Sequence, residues 1–332
     1  MRILAAPPAS VLSTSTGALE EGAFRGPLPR VDLGPGESPL FRLAHHKKWT
    51  YLAIATDELL IGVAIVDLGY VANAFAFAFE KGRGMVIDRS ALGPPFAVRV
   101  SDDAEEGALA RFALGGTRLC VERPVGSSAY DVDLRAKGIE VRARLDTLGA
   151  PPPVAVIAKL PGGCVNTTQK RALLPVTGTA ILDGRTFRLD GGLAGIDYTH
   201  GFLARHTAWK WAFLLGRARS GEKVAINLVE GFVGEAECAV WVDDDLVPVG
   251  EGRFEFDAAR PMDLWRVHTR CGAVDLAFEP GGVHAEEKNL GLVRSRFLQV
   301  AGTYRGTITL PGRAPLVLDA ALGVTEEQDV LW

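Results

Sequence analysis

Short apolar runs, separated by Gly, Pro and Asp, follow one another along most of the chain: 49–56, 59–67, 72–79, 97–100, 118–123, 130–137 and 139–146, then 207–215, 223–232, 237–242, 252–256, 264–269, 274–279, 302–310 and 314–322. Runs of this length with turn residues between them predict antiparallel strands, and their regular spacing predicts sandwiches or barrels. The clearest period is Ala74-Phe75-Ala76-Phe77-Ala78-Phe79, which places three rings on one face of a strand. We expect Phe75, Phe77 and Phe79 to line the interior of the first domain, with the alanines facing another surface. The stretch from Leu59 to Phe79 carries Asp67 as its only charge and is long enough for a membrane helix. Gly62, Gly69 and the phenylalanine alternation favour two strands instead, so no integral membrane segment is expected.

Residues 1–23 show no sustained period and read as a loose leader. A glycine-rich region from 178 to 195 holds Asp183-Gly184, a hairpin turn signal, and Gly191-Gly192. The division is therefore expected near residue 185, with one β domain over 24–185 and a second over 186–332. The fold class is all-β, two antiparallel β-barrel domains packed in tandem.

Composition narrows the function. The 332 residues carry 36 Lys plus Arg against 40 Asp plus Glu, a net charge of -4, so no basic field is present to attract nucleic acid. Hydrophobic residues at 48% and charged residues at 23% describe an ordinary globular chain. Cys120, Cys164, Cys238 and Cys271 form no C-x-x-C pair and read as reduced, buried thiols. Met1-Arg2-Ile3-Leu4 runs at once into Pro7-Pro8, too short for a secretory segment, and a cytoplasmic location is expected. No phosphate-binding loop, dinucleotide fingerprint, Gly-x-Ser-x-Gly or His-Glu-x-x-His is present, so neither a cofactor nor a metal is called for. Asp243-Asp244-Asp245 lacks the Gly and distal Glu of a calcium loop and reads as a hairpin turn.

Functional side chains concentrate in Asp197-Tyr198-Thr199-His200-Gly201 and in Arg205-His206-Thr207-Ala208-Trp209-Lys210-Trp211. On a strand, Arg205, Thr207, Trp209, Trp211 and Phe213 point one way and line a cavity wall or a plain core. Asp197 is a catalytic carboxyl or a turn residue, and His200 a catalytic imidazole or a satisfied loop histidine. Lys47 and Lys48, after His45-His46, read as the solvated start of a strand.

Asp197-Tyr198-Thr199-His200-Gly201, Arg205-x-Thr207-x-Trp209-x-Trp211, Asn227-Leu228-Val229-x-Gly231, Trp241-Val242-Asp243, His46-Lys47-Lys48-Trp49-x-Tyr51 and Asn166-x-x-x-Lys170 together resemble a bacterial family of unknown function. That family is distantly similar to tandem lipocalin-like proteins, among them carotenoid hydratases (hydroxyneurosporene synthases), tocopherol cyclases and fungal decalin-forming cyclases. The resemblance implies two calycin-type barrels with a hydrophobic pocket between or within them. It also implies a carboxylic acid that protonates a carbon-carbon double bond, carried here onto Asp197. The hydratase motif places Tyr and Asp two apart, whereas Asp197 and Tyr198 are adjacent and would face opposite sides of a strand.

Asp197, His200 and Tyr198 are thus the candidate catalytic residues. Trp209, Trp211, Arg205, Thr207, Asn227 and Trp241 are the candidate ligand-binding residues. The expected activity is cofactor-independent acid-base chemistry on a hydrophobic small molecule, by a hydratase, isomerase or cyclase. The alternative is a noncatalytic carrier of a lipid, terpenoid or pigment.

Overall fold

Two kinds of strand build the first sheet, and their burial explains how the molecule is layered. In Ile139–Asp146 the burial alternates, with Ile139, Val141 and Leu145 inside and Glu140, Arg142 and Arg144 exposed. Such a strand covers a core on one face and meets solvent on the other. In Leu59–Asp67 and Ala72–Glu80 nearly every residue is buried, because both faces are covered. The computed structural model describes residues 3–34, 38–289, 291 and 293–332.

The first sheet is antiparallel and runs in the order Gly84–Gly93, Ala72–Glu80, Leu59–Asp67, His46–Ala55, Leu193–Phe202, Val165–Leu182, Ile139–Asp146, Ala129–Ala136, Thr117–Arg123, Ala108–Leu114 and Val98–Val100. It curls into a nearly closed barrel. The second sheet runs Asp245–Pro248, Ala239–Val242, Lys223–Gly231, His206–Arg217, Leu316–Leu331, Arg294–Ile308, Val274–Asn289, Trp265–Thr269 and Gly252–Glu255, and forms a half-barrel. The tandem antiparallel barrels expected from the strand pattern are therefore present. Asp183-Gly184 forms the turn before Arg185–Arg188, with both residues at positive φ, and Asp243-Asp244 turns the hairpin between Ala239–Val242 and Asp245–Pro248. One short α-helix, Pro39–His45, starts at Ser38, whose Oγ accepts the Phe41 N–H. Among the described residues no helix is long and apolar enough to cross a membrane.

The chain passes from one sheet to the other between Phe202 and His206, so the strand carrying Asp197, Tyr198 and His200 belongs to the first sheet. In the segment read as a loose leader, Val11 is buried, Ala5 bridges Phe24 and Leu12 bridges Leu19. All four cysteines are free; Cys164 and Cys238 are buried, Cys120 is half-buried, and Cys271 is exposed in the turn after Trp265–Thr269.

The phenylalanine ladder points the other way from the expectation. Ala72, Ala74, Ala76 and Ala78 face the interior of the first barrel, where they pack in one core with Phe112, Tyr130 and Val141. Phe75, Phe77 and Phe79 belong to the layer between the sheets, with Trp211, Phe213 and Tyr304. The barrel's far wall already supplies bulk, so small residues fit inside it, and the larger space to fill lies between the sheets. Glycines permit this close approach. A Cβ on Gly195 would sit 2.2 Å from the Phe213 ring, and one on Gly281 would sit 2.4 Å from the Phe79 ring. Hydrogen bonds also tie the two halves together, among them those from Trp241 Nε1 to Pro152 O (3.0 Å) and from Arg25 Nη1 to Leu246 O (3.1 Å).

Candidate active site

The layer between the sheets is not completely filled. A cavity of about 220 Å³ remains, with Trp49, Tyr51, Phe75 and Asp197 on the first sheet facing Trp209, Trp211, Phe297 and Glu326 on the second. Its walls are mainly aromatic. Trp49 and Trp209 stack across the gap with centroids 6.0 Å apart, and Tyr51 meets Trp211 edge-on at 5.2 Å. These rings come together because His46–Ala55 and His206–Arg217 present alternate side chains to one layer.

Charged groups sit in this apolar wall. Lys170 is buried, and its Nζ lies 2.6 Å from Asp197 Oδ1 and 3.0 Å from Glu237 Oε2. Neither of those oxygens has another donor among the described residues. Burial opposes the Lys170 charge, but Asp197 and Glu237 outweigh it and hold the ammonium above the usual lysine range. Burial pushes the Glu237 carboxyl up, with Lys170 opposing. Glu326 is held differently: its oxygens accept hydrogen bonds from Trp209 Nε1 (2.8 Å) and Gln299 Nε2 (2.7 Å). Burial raises its carboxyl to about 7, against those two hydrogen bonds. Tyr51 donates weakly to Gln299 Oε1 (3.4 Å), and burial raises its phenol as well. Also on the cavity wall, Lys288 Nζ is 2.5 Å from Glu286 Oε2.

Among the residues expected from the sequence, Asp197, Trp209 and Trp211 share this cavity. Asn227 is fully buried behind them, accepting the Trp211 indole N–H (2.8 Å) and donating to Glu237 O (2.9 Å). Thr207 Oγ1 accepts the indole N–H of Trp332, which lines the cavity. Arg205 is exposed, and its carbonyl accepts the Trp332 backbone N–H. Trp241 is buried away from the cavity and holds the sheets together through Pro152.

Tyr198 and His200 lie on the opposite face of their strand from Asp197. Tyr198 packs in the first barrel's core and donates to Ser101 O (3.0 Å). His200 shares an Nε2–Nε2 hydrogen bond of 2.7 Å with His46, near Asp102 and Lys48. Burial, then Lys48, lowers His46 to about 4 and takes His200 well below the usual histidine range, so both rings are neutral. The paired lysines also differ from the solvated strand start expected of them. Lys48 is ion-paired to Asp102, while Lys47 is fully buried, donating to Leu68 O (2.9 Å) and lying over the Tyr70 ring.

Lys170, Glu237, Gln299 and Glu326 were not among the expected site residues. Lys170 stands in the Asn166-x-x-x-Lys170 motif. Glu237 lies on a short turn, and Glu326 stands in Thr325-Glu326-Glu327-Gln328, where only the period of the strand separates the inward acid from its outward neighbour.

Comparison with known proteins now adds to this geometry. Residues 5–332 match a domain of unknown function, DUF2804. The chain belongs to the DUF2804 family. A search of curated proteins finds no match. Among solved structures, CghA with Sch210972 superposes on the DUF2804 chain with a TM-score of 0.56 at 13% identity, over 98% of this chain and 97% of its own. An AttH-type protein from Nitrosomonas europaea superposes at 0.53 with 12% identity, over 89% of this chain and 98% of its own. Kievitone hydratase from Nectria haematococca aligns at 0.49 with 11% identity, over 100% of this chain and 98% of its own. The likenesses to CghA and to the Nitrosomonas europaea protein establish the fold, tandem lipocalin-like barrels.

Proposed function

We propose that the DUF2804 chain is a cofactor-independent acid-base enzyme acting on a hydrophobic small molecule, of the hydratase, isomerase or cyclase type, with its site in the cavity between the sheets. One observation carries this reading: an aromatic cavity has buried Lys170, Glu237 and Glu326 and half-buried Asp197 around it. Burying ionisable groups costs free energy that an apolar wall of the same shape would not. A site that only shelters an apolar ligand has no use for them, whereas proton transfer to carbon needs a carboxyl close to the substrate and tuned by burial. The indoles of Trp209 and Trp211 would steady a developing carbocation, by about 0.5–2 kcal/mol. The fold also suits small-molecule binding, since CghA carries Sch210972.

The volume limits the ligand. A dry cavity of about 150 Å³ accepts benzene, so about 220 Å³ suits a body of one or two rings, and a longer chain would have to project outwards. The test is to purify the protein, extract it with organic solvent to identify any retained compound, and incubate that compound with the protein in D2O. An enzyme of this type introduces deuterium at carbon, and a carrier does not. Bound ligand that never exchanges with solvent deuterium, in wild type and Asp197→Asn alike, would leave only the carrier reading.

A further inference from the structure

Building on that acid-base reading, we propose that Glu326 is the proton donor to a neutral, compact, unsaturated ring compound, and that Asp197 serves as the fixed anion facing the resulting cation.

The partners of the two carboxyls separate their roles. Asp197 Oδ1 is 2.6 Å from the Lys170 ammonium, which also binds Glu237. Glu326 has no cation at ion-pair distance among the described residues, and its hydrogen bonds come from an indole and an amide, both neutral. A group that must release a proton and later recover it works best without a fixed counter-ion. Glu326 is buried, lines the cavity, and lies beside Trp209 through its own hydrogen bond. The charged and titratable groups acting on it are Asp197 and Lys170 from the first sheet, with Tyr51 also coupled to it. Burial raises its carboxyl to about 7, so both forms are present near neutral pH.

The chemistry balances without another cofactor. The Glu326 O–H bond breaks as the alkene π pair forms a C–H bond, leaving a carboxylate and a carbocation among the indoles. Loss of a proton from the adjacent carbon to the same carboxylate completes an isomerisation. Capture by water, whose extra proton returns to Glu326, completes a hydration.

The test uses two probes of matched shape, the trimethylanilinium cation and neutral tert-butylbenzene, with affinity followed by tryptophan fluorescence on the full chain. In wild type the preference for the cation should rise about tenfold from about pH 6 to about pH 8, as Glu326 becomes an anion. Glu326→Gln should abolish this pH dependence while still binding the neutral probe. Asp197→Asn should weaken the cation at every pH and keep the dependence. Trp209→Phe, which removes a donor to the carboxylate, should move the midpoint upwards, and it decides the matter if Glu326→Gln does not fold. A dependence that survives Glu326→Gln, disappears in Asp197→Asn, or keeps its midpoint in Trp209→Phe would overturn the assignment and leave the cavity reading intact. Failure of both probes to bind wild type would overturn the cavity reading and this inference with it.

Discussion

The two faces of Leu193–Phe202 look into different interiors. On one face Ile196 and Tyr198 meet the inside of the first barrel, filled by Phe112, Tyr130, Val141 and a row of alanines. On the other, Asp197 meets the layer between the sheets, where about 220 Å³ stays open. The barrel is a solid core with a polar cluster of His46, His200, Asp102 and Lys48 at one end. The layer between the sheets has the larger aromatic residues and still does not close. Here Ala72, Ala74, Ala76 and Ala78 pack with Phe112 and Tyr130 inside the barrel, and an aromatic cavity lies between the two sheets. In that layer an aromatic cavity and buried ionisable groups coincide, which favours placing the chemistry there.

The largest expected effect comes from removing the cation that holds this layer's acids. Lys170→Met leaves buried Glu237 and half-buried Asp197 without a counter-charge, and should cost about 3–5 kcal/mol in urea unfolding. A loss below about 1 kcal/mol would mean that the carboxyls are protonated or solvated and that the buried cluster is not as described. Next come two ring truncations of similar chemistry, one in each region. Phe112 and Phe77 are both fully buried, so each change to Ala should cost about 3–5 kcal/mol, towards the lower end where neighbours can collapse. Only Phe77→Ala should alter tert-butylbenzene binding, because Phe77 stacks on Phe75 of the cavity wall at 6.4 Å. Equal effects of both on probe binding would erase the distinction between the regions.

Much of the fold was legible from the chain. The alternation in 139–146 and the hairpin signals at Asp183-Gly184 and Asp243-Asp244 lead directly to the observed strands and turns. Nearly continuous apolar runs such as 59–67 were legible as strands, but not as strands covered on both faces. That depends on a second sheet built from residues far along the chain, and for the same reason the direction of Phe75, Phe77 and Phe79 was read inversely. Within the site, Asp197, Trp209 and Trp211 stood out because their residue types cluster locally. Lys170 and Glu326 did not, since they approach Asp197 only through sheet pairing and through packing between the sheets. Adjacency did show that Asp197 and Tyr198 face opposite ways.

The smallest expected effect is also the sharpest contrast between the regions, because acid acts on them with opposite signs. His46 is lowered to about 4, chiefly by burial and Lys48, while an unfolded histidine titrates near 6.5. The folded state therefore binds fewer protons than the unfolded one in this window, and stability is lost as pH falls from about 6.5 towards 4; His200 acts in the same direction. Glu326 is raised to about 7 from the ordinary 4.5, chiefly by burial. Here the folded state binds more protons, so its contribution is full below 4.5 and is lost as pH rises through 7; Glu237 acts in the same direction. Between about pH 7 and about pH 5 the two effects oppose each other, and the wild-type change should lie between those of variants that remove one effect or the other. Urea midpoints at those two pH values separate them. On acidification His46→Gln should lose less stability than wild type, and Glu326→Gln should lose more. If both variants follow the wild-type change, the barrel end and the layer between the sheets do not differ in their electrostatics, and the contrast drawn from their burial fails.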